Sequence, residues 1–340
     1  MRIELLEKLC QLNGTSGDEG KVRDFIISQI ADYCEYKVDP LGSVIAYKQG
    51  LNKAKNKVMI SAHMDEVGMI VTSIKSDGTF TVSEVGGVDP RVVIGRQVSV
   101  GESGINGVIG AKAIHNLNAE ERKKAPKFSS LYVDIGATNK EEAEKLVSLG
   151  DRVHFSSEFV TFGDGYIKGK AIDDRFGCAI MIELIQAELP YDCVFTFVVQ
   201  EEVGLRGARP AAYTVDPDFA LVLEATTAAD IPLASGEKRC CELGKGAVVS
   251  HMDRSTIYDK ELYNISREIS KEQGIGWQTK TMVAGGNDSG AIHISRGGVR
   301  TTAISAPCRY LHSPSCVVKL SDLEDCEKLA KLMIEKMCTL

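Results

Sequence analysis

The chain has 340 residues, 44% of them hydrophobic, which is enough to bury the core of one large domain and a smaller companion. Its 40 Lys and Arg against 47 Asp and Glu leave a formal net charge of −7, so no basic field awaits a phosphate backbone and nucleic acid is not an expected partner. Ten cysteines without a repeating spacing or a Cys-x-x-Cys argue against a disulfide framework and a zinc knuckle, and predict buried thiols.

In chain order, Met1 to Cys10 repeats apolar residues at helical spacing but is studded with charge, unlike the unbroken core of a signal peptide. No apolar run reaches membrane-spanning length, so the expectation is a cytoplasmic protein without a membrane partner. Ser16 with Glu19 has the capping-box spacing and predicts a helix through Val22, Ile26 and Ile30. Strands follow at 43–47 and 57–63, the second apolar enough to be buried on both faces, as in a largely parallel sheet. From Gly68 the texture changes to short alternating strands punctuated by glycine, the pattern of a small barrel. Residues 115–130 read as a polar, basic loop around Arg122, a disordered or interacting element, followed by a strand at 131–135 and a helix from about 140 to 149.

After Gly165 long elements return. A helix follows Asp174, buried strands are predicted at 193–199 and 219–223, Ser255 is expected to cap a helix through Ile269, a strand spans 298–305, and Ser321 with Glu324 opens a terminal helix. The simplest account is an α/β fold, a central mixed sheet flanked by helices formed by residues 1–67 and 164–340, interrupted by a β-barrel-like insertion at 68–163.

Polar clusters sit where these apolar runs end: His63 and Asp65, then Asp173 and Asp174, Glu201 and Glu202, Glu224, and His312. Open α/β sheets build their sites at carboxyl ends of strands. Several carboxylates and imidazoles desolvated together call for cations, and acids with two histidines and no cysteine favour zinc, cobalt or manganese over a thiolate site. Two cations about 3.5–4 Å apart need one bridging carboxylate with further ligands on each side. His63, Asp173, Glu202, Glu224 and His312 fit that demand in number and type. Asp65, two residues after His63, is expected to accept the proton of the imidazole nitrogen that faces away from metal. Adjacent Glu201 and Glu202 must point apart, so one can bind metal while the other moves protons.

Five stretches then carry a resemblance: Ser61-Ala-His-Met-Asp-Glu-Val-Gly68, Lys170-Ala-Ile-Asp-Asp-Arg-Phe-Gly177, Gln200-Glu-Glu-Val-Gly-Leu-Arg-Gly207, Gly285-Gly-Asn-Asp-Ser-Gly-Ala-Ile-His293 and His312-Ser-Pro314. In order and over nearly the whole chain, they resemble the motifs of the tetrahedral (TET) aminopeptidases, a family that includes glutamyl aminopeptidases and members once labelled cellulases. The resemblance implies two divalent metal ions held by His63, Asp173, Glu202, Glu224 and His312, with Asp173 as the bridge. It also implies Glu201 as the general base, Asp65 as the group that orients His63, and a cis peptide between Asp173 and Asp174. Glu224 departs from the aspartate of many members. The inserted unit resembles the dimerisation domain from which these enzymes build dodecameric tetrahedra that admit short peptides, and the loop around Arg122 could approach a neighbouring subunit.

Blander readings exist for each residue. A lone strand-end acid is usually a cap or a surface ion pair, and Glu201 could pair with Arg206. His115, His154, His251 and His293 lie outside acid-bearing motifs and read as structural, although His251 or His293 could touch substrate. Paired glycines at 285–286 and 297–298 read as turns. The leading function is a dinuclear metal-dependent aminopeptidase acting on short peptides. The alternatives are a two-metal deacylase or carboxypeptidase and a non-catalytic assembly protein on the same scaffold; a metal-free glycoside hydrolase would leave both histidines without a role. Loops near Gly236-Glu-Lys-Arg239 and Ala306-Pro-Cys-Arg309 are candidates for the side-chain pocket.

Overall fold

A computed structural model describes residues 1–232, 234 and 236–340, with the side chain of Glu237 in the candidate pocket loop also outside the described set. The long apolar runs form an eight-stranded sheet in the order Glu35–Val38, Val44–Lys48, Cys193–Val198, Val58–His63, Phe219–Thr227, Arg300–Cys308, Ala247–Val249 and Trp277–Thr279. Its four central strands, from Cys193–Val198 to Arg300–Cys308, are mutually parallel, whereas Val44–Lys48 and Ala247–Val249 join them antiparallel, which makes the sheet mixed. Strand Val58–His63 is buried at every position, as its unbroken apolar run predicts.

Helices cover both faces. Ile172–Gln186, Ile3–Gln11, Gly20–Ile30 and Leu320–Thr339 share one apolar cluster with one side of the sheet, and Ala208–Val215 and Ser289–Ile292 pack on the other. Gly68–Ile74, Phe80–Val85, Tyr132–Asp134, Ile105–Gly110, Gln97–Val100 and Arg152–Phe155 close into a barrel with its own core of Met69, Phe80, Val98, Val133 and Phe155. The last barrel strand ends at Phe155, short of 163. Val160–Phe162 instead joins Tyr166–Gly169 and Cys316–Lys319 in a separate three-stranded sheet, so the chain has left the barrel before Gly163.

Local patterns mispredicted several helix starts. Gly20–Ile30 begins without a side-chain cap, because Ser16 Oγ donates to Asp65 and the Glu19 carboxylate accepts from Gly17 N. Asp259, not Ser255, caps the helix Lys260–Gln273 by accepting from the N–H groups of Glu261 and Leu262. The terminal helix starts at Leu320 without a side-chain cap, and the helix expected to reach 149 spans only Lys140–Ala143. Residues 115–130 contain short 3₁₀ turns rather than formless chain, and Arg122 is exposed with its Nε donating to Leu117 O. Among the described residues, no helix is long and apolar enough to cross a membrane.

Candidate metal centre and catalytic site

His63 closes its strand, Glu201 and Glu202 follow Cys193–Val198, Glu224 lies within Phe219–Thr227, and His312 follows Arg300–Cys308. Four parallel strands therefore deliver these side chains to one edge of the sheet, with Asp173 supplied by the start of Ile172–Gln186. That helix start is irregular: Asp173 and Asp174 have non-helical dihedrals and are joined by a cis peptide, as the resemblance implied. Ala171, Gln200 and His312 have positive φ values of 53°, 57° and 56°, so a left-handed residue without glycine's freedom marks three of the segments that build the site. Such conformations cost on the order of 1–3 kcal/mol and persist where surrounding contacts determine them.

Asp173 is central. Its Oδ1 lies 3.2 Å from His63 Nε2, and its Oδ2 lies 3.6 Å from His312 Nε2. Glu224 Oε1 approaches the same His63 nitrogen at 3.6 Å, and Glu202 Oε2 approaches the same His312 nitrogen at 3.3 Å. Two ligands on one tetrahedral zinc, each about 2.1 Å from it, are separated by about 3.4 Å. The donor separations match that spacing, and they divide into two halves sharing Asp173. Asp174 also comes within 4.8 Å of donors on His63 and Glu224. Its oxygens, however, accept from His63 N at 3.3 Å and Gly177 N at 3.1 Å, so it braces the strand and the helix.

The buried acids and imidazoles perturb one another strongly. Burial tends to lower His63, but Asp173, Asp65 and Glu224 hold it well above the usual imidazole range. Burial likewise opposes protonation of His312, and Asp173 with Glu202 lifts it to about 10. Burial, reinforced by neighbouring carboxylates, pushes Glu201 and Glu224 well above the usual carboxylate range and Glu202 to about 7. Divalent cations relieve such crowding of buried carboxylates. Among the described residues, Glu224 Oε2 is buried without a hydrogen-bond partner, a further donor suited to a cation. The residues thus fit divalent metal.

Asp65 does something the sequence did not disclose. It lies beyond the end of its strand, and His63 Nδ1 is closer to the Asp65 backbone carbonyl, at 3.1 Å, than to its carboxylate, at 3.4 Å. The carboxylate instead accepts Ser16 Oγ at 2.6 Å, Glu201 N at 2.9 Å and Glu202 N at 3.1 Å. Asp65 therefore clamps the segment carrying both glutamates. His312 is oriented from the barrel side, since its Nδ1 lies 3.0 Å from Gly87 O, between two barrel strands. A backbone carbonyl at that place carries no sequence signal.

Other residues had no assigned role. Buried Lys170 donates to Glu66 at 2.6 Å, and fully buried Arg175 donates to the carbonyls of Met64 at 2.8 Å and Leu9, tying the His63–Glu66 segment to the first helix. Asp288, inside the Gly285–His293 motif, is buried with neither carboxylate oxygen partnered among the described residues, and burial with Asp65 nearby pushes it to about 7. Its charge also raises Glu201, which marks the two as neighbours. Among the described residues, Glu201 forms no ion pair with Arg206. Cys308 is a buried thiol pushed well above its usual range by a contact with Cys316 and by burial, the setting of a structural cysteine. His293 Nδ1 lies 2.7 Å from Ser289 O, and His154 contacts Thr15 and Asp18, the structural roles expected of them.

Known proteins resemble this chain over nearly its whole length. Residues 42–329 match the model of the M42 glutamyl aminopeptidase family. The lysyl aminopeptidase of Pyrococcus furiosus is 34% identical over 98% of this chain and 97% of its own. An aminopeptidase from the archaeon Desulfurococcus kamchatkensis superposes with a TM-score of 0.93 at 34% identity, covering 98% of this chain and 94% of that one. The Pyrococcus horikoshii TET1 peptidase, described as assembling into a tetrahedron or a large octahedral shell, superposes with a TM-score of 0.86 at 36% identity, covering 97% and 98%. With the motifs, the fold and these matches in agreement, the chain belongs to the M42 family of aminopeptidases.

Proposed function

We propose that the protein is a dinuclear metal-dependent aminopeptidase that removes the first residue of short peptides. The observation that carries this reading is the division of donors around Asp173: His63 and Glu224 beside one oxygen, His312 and Glu202 beside the other. In this reading those five residues hold two divalent cations, zinc or cobalt by ligand type with manganese also suited, and Asp173 is shared. When bound, the ions supply Lewis acidity for the scissile carbonyl and lower the pKa of water. Glu201, adjacent to a ligand but outside the set, takes a proton from the attacking water. It passes that proton to the departing amine as the C–N bond breaks. Asp65 keeps Glu201 and Glu202 in place through their backbone N–H groups.

Metal-stripped protein reloaded with single divalent ions tests the proposal. Cleavage of aminoacyl anilides that returns with about two equivalents of metal supports it, and cleavage confined to N-acylated amino acids replaces it with a deacylase. By analogy with the TET1 peptidase shell, we assign residues 68–163 to a dimerisation unit within a cytoplasmic homo-oligomer, a dodecamer built from dimers. Light scattering that finds only monomer at micromolar concentration in the active protein refutes that assembly.

A further inference from the structure

The strand Arg152–Phe155 closes the barrel, and its side chains alternate between two faces. Val153 and Phe155 belong to the barrel core, so Arg152 and His154 leave on the outer face. An outward residue on a small barrel ordinarily meets water. His154 is instead only 1% exposed, because residues 14–19, which join the first two helices, lie against it. Its Nδ1 lies 2.9 Å from Thr15 Oγ1 and its Nε2 lies 3.2 Å from Asp18 Oδ2. Beside it, Arg152 Nε donates to Ser16 O at 3.1 Å. The ionised Asp18 carboxylate can only accept, which places a proton on Nε2; in the neutral ring Nδ1 then accepts the Thr15 hydroxyl.

The other side of this segment is tied to the catalytic site. Thr15 bridges to Glu66, with Ser16 N donating to Glu66 O at 3.2 Å and Glu66 N donating to Gly14 O at 3.0 Å. Ser16 Oγ donates to Asp65 at 2.6 Å, and Glu19 Oε1 accepts Gln200 N at 3.2 Å. Asp65 in turn accepts the N–H groups of Glu201 and Glu202. Thr15, Ser16, Asp65 and Glu19 are all buried, so water cannot readily replace a contact that is lost. Between the His154 ring and the Glu201 backbone stand only Thr15, Ser16 and Asp65.

We infer that His154 is a positioning residue for the catalytic site. Through Thr15 and Ser16 it holds Asp65, and so the backbone of both glutamates, in working geometry. The inference rests on the proposed aminopeptidase reaction and gives the inserted barrel a task within the subunit, distinct from assembly. The barrel then supports the site at two places, since His312 Nδ1 lies 3.0 Å from Gly87 O. Removing the imidazole strands the Thr15 hydroxyl and opens a ring-sized void into which the segment can shift. A displacement of about 1 Å at a reacting group costs on the order of 100-fold, and three intervening contacts soften it, so a loss of about tenfold is expected.

The test uses metal-loaded enzyme and three substitutions, with Asp65→Asn as reference. His154→Ala removes the ring, and Thr15→Val removes the hydroxyl at nearly constant volume. Val133→Ala is the control, because Val133 is buried in the barrel core on Tyr132–Asp134, the strand opposite Arg152–Phe155 in the barrel order. His154→Ala and Thr15→Val should each lower kcat for an aminoacyl anilide about tenfold with KM within about threefold, whereas Val133→Ala, though less stable to urea, should stay within about twofold. Adding His154→Ala to Asp65→Asn should lower kcat by no more than about threefold further, because both act on one link. In metal-free protein, amide hydrogen exchange at Glu201 and Glu202 should quicken about tenfold in His154→Ala and not in Val133→Ala. Unchanged kcat and exchange, losses no larger than that of Val133→Ala, or losses fully additive with Asp65→Asn overturn the inference and leave the aminopeptidase reading standing. If His154→Ala does not fold, Thr15→Val decides by the same measures. If the wild type cleaves N-acyl amino acids and no anilide, the aminopeptidase reading falls, and the same comparison on that substrate decides the inference.

Discussion

Asp65→Asn separates two accounts of how the site is held. The first, suggested by the two-residue spacing from His63, has Asp65 orienting that imidazole. The structure points to the Glu201–Glu202 segment, because Asp65 Oδ1 accepts Glu201 N at 2.9 Å and Oδ2 accepts both Glu202 N at 3.1 Å and Ser16 Oγ at 2.6 Å. Asparagine keeps the volume but replaces one oxygen with an amide group. In either rotamer one of the two glutamate N–H donors then faces another donor. Losing a hydrogen bond to a charged group and stranding a buried N–H costs about 3 kcal/mol in total. His63 is largely spared, since its Nδ1 is nearer the Asp65 backbone carbonyl, which the substitution retains.

The expected phenotype is therefore lopsided. Metal affinity should fall about 10- to 100-fold at the half containing Glu202 and His312, as for other losses of a group that supports a ligand. Turnover should fall about 100-fold even at saturating metal, because Glu201 is displaced. Stepwise chelator titration measures the two affinities. Double mutants identify the half: Asp65→Asn should add little further metal loss to His312→Gln, whose half is already broken, and should be additive with His63→Gln. Two unchanged metal affinities with turnover within threefold of wild type would refute the clamp. Weakening of the His63 half alone would restore the imidazole-orienting account.

Three further outcomes follow from the same geometry. Glu201→Gln should keep both metals and lose turnover by about 10²–10⁴-fold, whereas Glu202→Gln should lose metal first; metal content and kcat measured on both decide whether the roles are reversed. Asp173→Ala should lose both equivalents, because its two oxygens face separate histidines, and retention of two by elemental analysis would show the bridge to be misassigned. Burial pushes Glu19 to about 7 from its ordinary 4.5, so the folded state holds that proton more firmly and stability falls as pH rises from 4.5 through 7. Glu19→Gln retains the acceptor for Gly17 N and Gln200 N; urea unfolding at fixed protein concentration should find it stabilised by about 3 kcal/mol at pH 8 and about 1 kcal/mol at pH 5, and an equal effect at both would refute the shift.

What the sequence disclosed, and what it hid, follows from the range of the interactions involved. The strands ending at His63, before Glu201 and before His312 were legible because burial on both faces demands an unbroken apolar run, and a polar residue at its end is conspicuous. Ser16 and Glu19 show the limit of such local patterns. Their spacing is that of a capping box, yet Asp65 lies 2.6 Å from the serine hydroxyl and the Gln200 N–H lies 3.2 Å from the glutamate, so contacts from distant segments redirect both side chains. The Gly87 carbonyl that fixes His312 belongs to a backbone group every residue possesses. Ligand identity is thus set by residue type at element ends, where pattern survives in the sequence. How those side chains are held is set by contacts between distant segments, such as Asp65 with the Glu201–Glu202 backbone, and that depends on the folded arrangement.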